Sequence, residues 1–184
     1  MLKATLLTRV NQITNRGLSS IDEELLETLI EISERTLCLP TSTTGTTTAS
    51  QNYITKPTDM AGDRIIGLVI NGQPYNPISW DDFLNQVSGY GYVVYGSRIY
   101  ITPTPTGAVS YTVYYPQKHP SDLNTILLDD VYKEAVLRLL CAKVYANYEM
   151  IPESNAQTGL YEREIQNLSG HGRTPPVCKP HTGV

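Results

Sequence analysis

ILLDDVYKEAVLRLLCAKVYANYE, residues 126–149, holds neither Gly nor Pro over two dozen positions. Its polar side chains, Asp130, Glu134 and Arg138 with Lys133 and Asn147, recur at spacings of three and four, the period of a helix. That stripe is narrow, so the helix is apolar over more than half its circumference. Such a helix is packed by neighbours on at least two sides. The sequence therefore predicts one long central helix over 126–149, with Val131, Ala135, Leu139 and Ala142 facing inward.

Working outward, the other helices follow the same logic. Leu2, Leu6, Val10 and Ile13 mark a helix over 2–14, closed by Gly17 at a C-terminal cap position. Ser20 and Glu23 read as a capping box that opens a helix over 20–38, with Ile21, Leu25, Leu29 and Ile32 as its apolar stripe. Its opposite face carries Glu23, Glu24, Glu27, Glu31 and Glu34, either a solvated face or a docking surface. Pro152 interrupts the long helix, and a last helix runs over 153–168.

Between the second and third of these long helices the texture is β. TSTTGTTTASQ, residues 41–51, has no apolar anchor and reads as a flexible loop or an extended arm. From 52 to 115 short β-branched and tyrosine-rich runs alternate with turn signals, among them Asn71-Gly72, a type I′ hairpin pair. Ser79 starts a short helix over 79–87, with Asp81 and Asp82 in its first turn where the helix dipole favours acids. The expected product is a small antiparallel sheet of about five strands. The fold class is α+β: a helical bundle, an inserted sheet, one domain over 1–168, and an extended tail over 169–184.

Composition narrows the chemistry. A net charge of -4 and the absence of any basic run give no general pull towards nucleic acid or anionic membrane. No apolar stretch is long enough to span a bilayer, and the N-terminus lacks the pattern of a secretory signal; a soluble protein made inside the cell is expected. Cys38, Cys141 and Cys178 are odd in number and far apart, which argues against a disulfide framework. Cys141 reads as a small core residue.

The sequence contains no HExxH, GxSxG or Walker pattern, and no GxGxxG that opens a helix. Asp81-Asp82 and Asp129-Asp130 lie at helix starts and read as caps rather than paired catalytic acids. His171, Cys178 and His181 match no zinc spacing, and His119 reads as an exposed loop residue. Thirteen Tyr stand against one Phe and one Trp. Tyr favours strands and cross-strand pairs, so sheet packing accounts for many of them. Tyr92, Tyr95, Tyr111 and Tyr114 are the candidates for a contact between subunits.

The order of these parts resembles the tailed-bacteriophage head–tail adaptor, or connector, proteins that bind beneath the portal. The likeness rests on SIDEELLETLIEISERT, DRIIGLVINGQPYNPIS, WDDFLNQV, YVVYGSRIYITPTPTGAVSYTVYYPQ and the long helix, in that order. It covers most of residues 1–168. It implies a structural virion protein without enzymatic activity, cofactor or metal, made in the host cytoplasm and placed in the neck between capsid and tail. It implies a closed ring of about twelve copies between the portal protein and a downstream neck or tail protein, with DNA passing through the lumen and no membrane partner. Similar adaptors grip the portal with terminal arms; here that role would fall to Arg173, Pro175, Pro176, Val177, Lys179 and Pro180. Another neck or tail-completion protein, or a carbohydrate- or host-binding module using the tyrosine-rich sheet, are the alternative readings.

Overall fold

A computed structural model describes residues 1–86 and 89–170. Among the described residues five α-helices combine with a curled seven-stranded sheet in two compact units. One unit takes Met1–Leu39 and the chain from Lys118 onward; the other is Pro40–Gln117.

The first unit is helical. It contains α1 (Lys3–Thr14), α2 (Asp22–Thr36), α4 (Lys133–Asn147) and α5 (Ile151–Gly170). Helix α4 touches α1, α2 and α5, and nine of its fifteen residues are buried. Ala135, Leu139 and Ala142 point inward as expected, and Cys141 is a core residue. Leu6 and Val10 of α1, Leu25, Leu29 and Ile32 of α2, and Tyr161 and Ile165 of α5 complete the cluster. Polar groups seal its edges. The Tyr145 hydroxyl donates to the Ile13 carbonyl at 2.9 Å, and the Ser154 hydroxyl donates to the Ala142 carbonyl at 2.9 Å.

The expected helix over 126–149 is shorter at its front. The Leu127 N–H donates to His119 Nε2 at 3.0 Å, which diverts that amide from a helical ladder. Asp129 then caps a single 3-10 turn, Asp130–Tyr132, by accepting from the Val131 N–H at 3.1 Å. The turn shifts the phase, so Val131 is 44% exposed instead of facing inward. At the other end the Glu149 N–H returns to the Ala146 carbonyl and the Met150 N–H to that of Tyr145, both at 3.0 Å. With Glu149 left-handed at φ 58°, this is a Schellman ending. Helix α5 follows at once, and Pro152 sits in its first turn, where its missing N–H costs nothing.

The acidic face of α2 is an ion-paired seam. Lys143 reaches Glu31 at 3.1 Å and Glu27 at 3.4 Å, and Lys118 reaches Glu34 at 2.7 Å. Arg35 grips Glu162 of α5 with both guanidinium nitrogens. These pairs are partly exposed, and each contributes at most about 1 kcal/mol.

The second unit is the sheet, ordered β1-β7-β3-β4-β5-β6-β2. Its strands are β1 (Pro40–Thr46), β2 (Tyr53–Thr55), β3 (Gly67–Ile70), β4 (Gln73–Pro77), β5 (Gly91–Tyr95), β6 (Arg98–Thr102) and β7 (Ser110–Pro116), with α3 (Trp80–Leu84) between β4 and β5. Ile54, Leu68, Ile70, Ile99, Ile101 and Val113 are central to its core.

Three expectations change here. There are seven strands rather than about five. The sheet is not wholly antiparallel, because α3 carries the chain back so that β5 lies parallel to β4, with Asn76 opposite Gly91. The front of the Thr-rich stretch, expected as a flexible loop or an extended arm, is a paired strand: residues 40–46 form β1, antiparallel to β7 from Pro40↔Pro116 to Thr46↔Ser110, while 47–51 stay irregular. Strand β1 has no buried side chain and is held by backbone pairing. A Cβ added at Gly45 would lie 2.5 Å from the Tyr111 hydroxyl, so that glycine makes room for the tyrosine. The Asn71-Gly72 hairpin forms as expected, with φ 49° and 76°, both positive as a type I′ turn requires.

Candidate interaction surface

The residues that stand out on the β unit are aromatic. Ser79 caps α3: its Oγ accepts from the Asp82 N–H at 3.0 Å and donates to Asp82 Oδ2 at 2.7 Å. The cap fixes the first turn and sets Trp80 and Phe83, three apart, on one helix face. Their rings stack at 5.4 Å. The β5–β6 hairpin, turned by Gly96 at φ 59°, brings Tyr95 onto Trp80, stacked at 5.1 Å. Tyr100 meets Trp80 edge-on at 5.4 Å and Phe83 at 5.7 Å. Cross-strand pairing sets Tyr53 of β2 opposite Tyr100, and the Arg98 guanidinium lies 4.1 Å from the Tyr53 ring centre.

The result is a continuous strip of Arg98, Tyr53, Tyr100, Phe83, Trp80 and Tyr95. Each ring pair adds about 0.5–1.5 kcal/mol, so the strip holds its own shape. It is also open to solvent: Trp80 is 36% and Tyr95 65% exposed, and neighbouring Leu84 is 60% exposed. Phe83 and Leu84 also line a cleft of about 700 Å³, with Tyr90, Ile101 and Pro103 among its walls. Pre-stacked aromatic rings beside an arginine are the composition of protein–protein contact centres.

The four tyrosines expected at a subunit contact have separate fates. Tyr95 lies in the strip. Tyr92 is 6% exposed and packs in the β core, with its hydroxyl pKa raised by burial. Tyr111 is half-buried over Gly45, and Tyr114 half-buried near Gly67. Arg173, Pro175, Pro176, Val177, Lys179 and Pro180 lie outside the described residues, as do His171, Cys178 and His181. Trp80 and Phe83 were legible in the sequence as helix residues only. The signal that could have singled them out is that the chain's single Trp and single Phe stand three apart on one short capped helix.

His119 is not exposed: it is 2% exposed and fully engaged. Its backbone N–H donates to Ser33 Oγ at 2.9 Å, Nδ1 faces the Pro120 carbonyl at 2.8 Å, and Nε2 accepts from Leu127. Burial holds its pKa below the ordinary imidazole value, against a smaller raising effect of the Pro120 carbonyl. That arrangement suits a neutral ring that clamps a loop. Burial likewise pushes the Cys141 thiol up to about 11, far from a reactive thiolate. Of the two acidic pairs, Asp82 belongs to the Ser79 cap and Asp129 caps the 3-10 turn, and Asp130 pairs with the Met1 amino group at 3.2 Å. Among the described residues no cluster of His, Cys, Asp and Glu could hold a metal ion, and no helix is long and apolar enough to cross a membrane.

The chain thus joins in sequence a sheet that presents stacked aromatic rings and a helical unit centred on α4. The SU10 adaptor protein family model matches residues 1–178, and the chain belongs to that family. It is a structural adaptor protein of phages, as the order of its elements implied, and membership implies a place in the virion. No curated protein matches the chain.

Proposed function

We propose that this protein is a head–tail adaptor that forms a closed ring in the virion neck, between the portal protein and a downstream neck or tail protein, with a channel through which DNA passes. A ring of about twelve copies needs a heterologous contact, one patch meeting a different patch on the next copy. The single observation that carries this reading, beyond family membership, is the solvent-open aromatic strip centred on Trp80 and Tyr95. The helical unit also exposes single apolar side chains, among them Leu2, Val131 and Ile151; the strip instead gathers its rings into one stacked patch, and the assembly contact is assigned there. A net charge of -4 suits a lumen that must let DNA slide, because clustered cations would hold the phosphates. Sugar stacking is the weaker use of the strip, since Phe83 and Tyr95 both stack on Trp80.

The genetic test is direct. A phage lacking this protein should accumulate DNA-filled heads and free tails, or heads without tails, and purified protein added to the extract should restore joining. Tailed, infectious particles formed without it would overturn the proposal.

A further inference from the structure

The aromatic strip has a counterpart in the chain's own sequence. Beyond α5 the chain continues HGRTPPVCKPHTGV, residues 171–184. Its sequence sets three prolines, Pro175, Pro176 and Pro180, alongside two cations, Arg173 and Lys179; proline-rich segments dock on aromatic-lined surfaces because proline leaves them little freedom to lose. The strip offers matching features. Tyr95 and Trp80 form an apolar step, the cleft beside Phe83 is walled by Leu84 and Tyr90, and Asp81 and Asp82 stand exposed on α3 as partners for two cations.

We propose that the aromatic strip of one copy receives residues 173–180 of a second copy. Donor and acceptor are then different patches of the same chain, the requirement for a head-to-tail ring. The choice of a second copy over the same chain rests on the ring reading above. A portal subunit as the partner of the same residues is the competing outcome.

Trp80 is the chain's single tryptophan, so the acceptor reports on itself. The experiment titrates a synthetic 171–184 peptide into the full-length protein at low micromolar concentration and follows tryptophan emission. A saturable change is expected. It should weaken at least about tenfold for Tyr95→Ala, and equally for a peptide with alanine at 175, 176 and 180, a change that cannot disturb the receptor's folding. A second arm pairs Tyr95→Cys with the native Cys178 under mild oxidation: a cross-link between copies is expected. Three results would overturn the proposal: no response up to millimolar peptide, an equal response to a scrambled peptide, or a cross-link confined within one copy. Capture of the peptide by purified portal rings but not by this protein would give the segment to the portal instead. If the peptide fails while particles still carry the ring, only this inference falls and the adaptor reading stands.

Discussion

His119 provides the sharpest test of the helical unit. Its ring bridges the Pro120 carbonyl and the Leu127 N–H, and its own N–H holds Ser33. Nε2 must be unprotonated to accept from Leu127. Protonation would turn that acceptor into a donor facing a donor, inside a site with 2% exposure. The folded-state pKa is accordingly depressed, with burial as the main cause. A depressed histidine means that the unfolded chain binds more protons in the window between the folded pKa and the unfolded value near 6.5. The stability contribution is therefore complete above about pH 6.5. It is lost as pH falls, at up to about 1.4 kcal/mol per pH unit, until the folded pKa is reached. Lys118 and Glu34, paired at 2.7 Å, are the nearest charged neighbours in sequence to the clamp. The assay is urea unfolding between pH 8 and pH 5 for the native protein and His119→Gln. Glutamine keeps polar capacity but does not titrate. The variant should be less stable at pH 8, by roughly 1–3 kcal/mol for an imperfectly paired buried group, and should show a shallower loss on acidification. Parallel pH curves for the two proteins would refute the reasoning.

Three further outcomes follow from packing and backbone geometry. Leu140→Ala empties a site with no exposure at the heart of α4 and should cost about 2–5 kcal/mol in denaturant unfolding; an unchanged midpoint would contradict the described core. Glu149→Gly relieves a left-handed non-glycine residue at φ 58°, worth about 1–2 kcal/mol, against about 0.4–1 kcal/mol of added unfolded-state freedom. The melting temperature should rise slightly, and a fall would argue against the Schellman ending. Gly91→Ala would bring a Cβ to 2.8 Å from Ile78 and should destabilise the β unit by about 1–3 kcal/mol, read as a lowered melting temperature; a neutral result would mean that Ile78 is free to yield.

Helices with a clean apolar period were easy to read. Expected boundaries of 2–14 and 20–38 became Lys3–Thr14 and Asp22–Thr36, because Leu6, Val10, Leu25 and Leu29 recur at the right spacing. Details set by single hydrogen bonds were not legible. The Ser20 capping box does not form: Ser20 Oγ accepts from the Asp22 N–H at 3.2 Å, and the N-cap position falls to Ile21. Helix α1 ends on Asn15 in the left-handed region, two residues ahead of the expected glycine. The front of the long helix is not legible in the sequence because His119 lies eight residues upstream of the amide it captures, and no local propensity reports that bond. Strand β1 is not legible because it carries no apolar alternation; its threonines favour strands, but its pairing comes from β7. The aromatic strip was half visible. Tyr95 was singled out, whereas Trp80, Phe83, Tyr100 and Tyr53 meet only after the parallel β4–β5 pairing brings α3 beside the hairpin. That pairing is non-local, and a sequence read window by window does not contain it.

A ring at the joint between head and tail would be visible in images of the neck. Single-particle electron microscopy of intact virions, with focused reconstruction of the portal vertex, should show a closed ring of this chain directly below the portal. Its helical and β units should be recognisable in the density, the Trp80–Tyr95 strip covered by a neighbouring copy, and DNA or an open channel on the axis. Density for this chain at the tail tip or on the capsid surface, or a neck in which the strip faces solvent in every copy, would contradict the account.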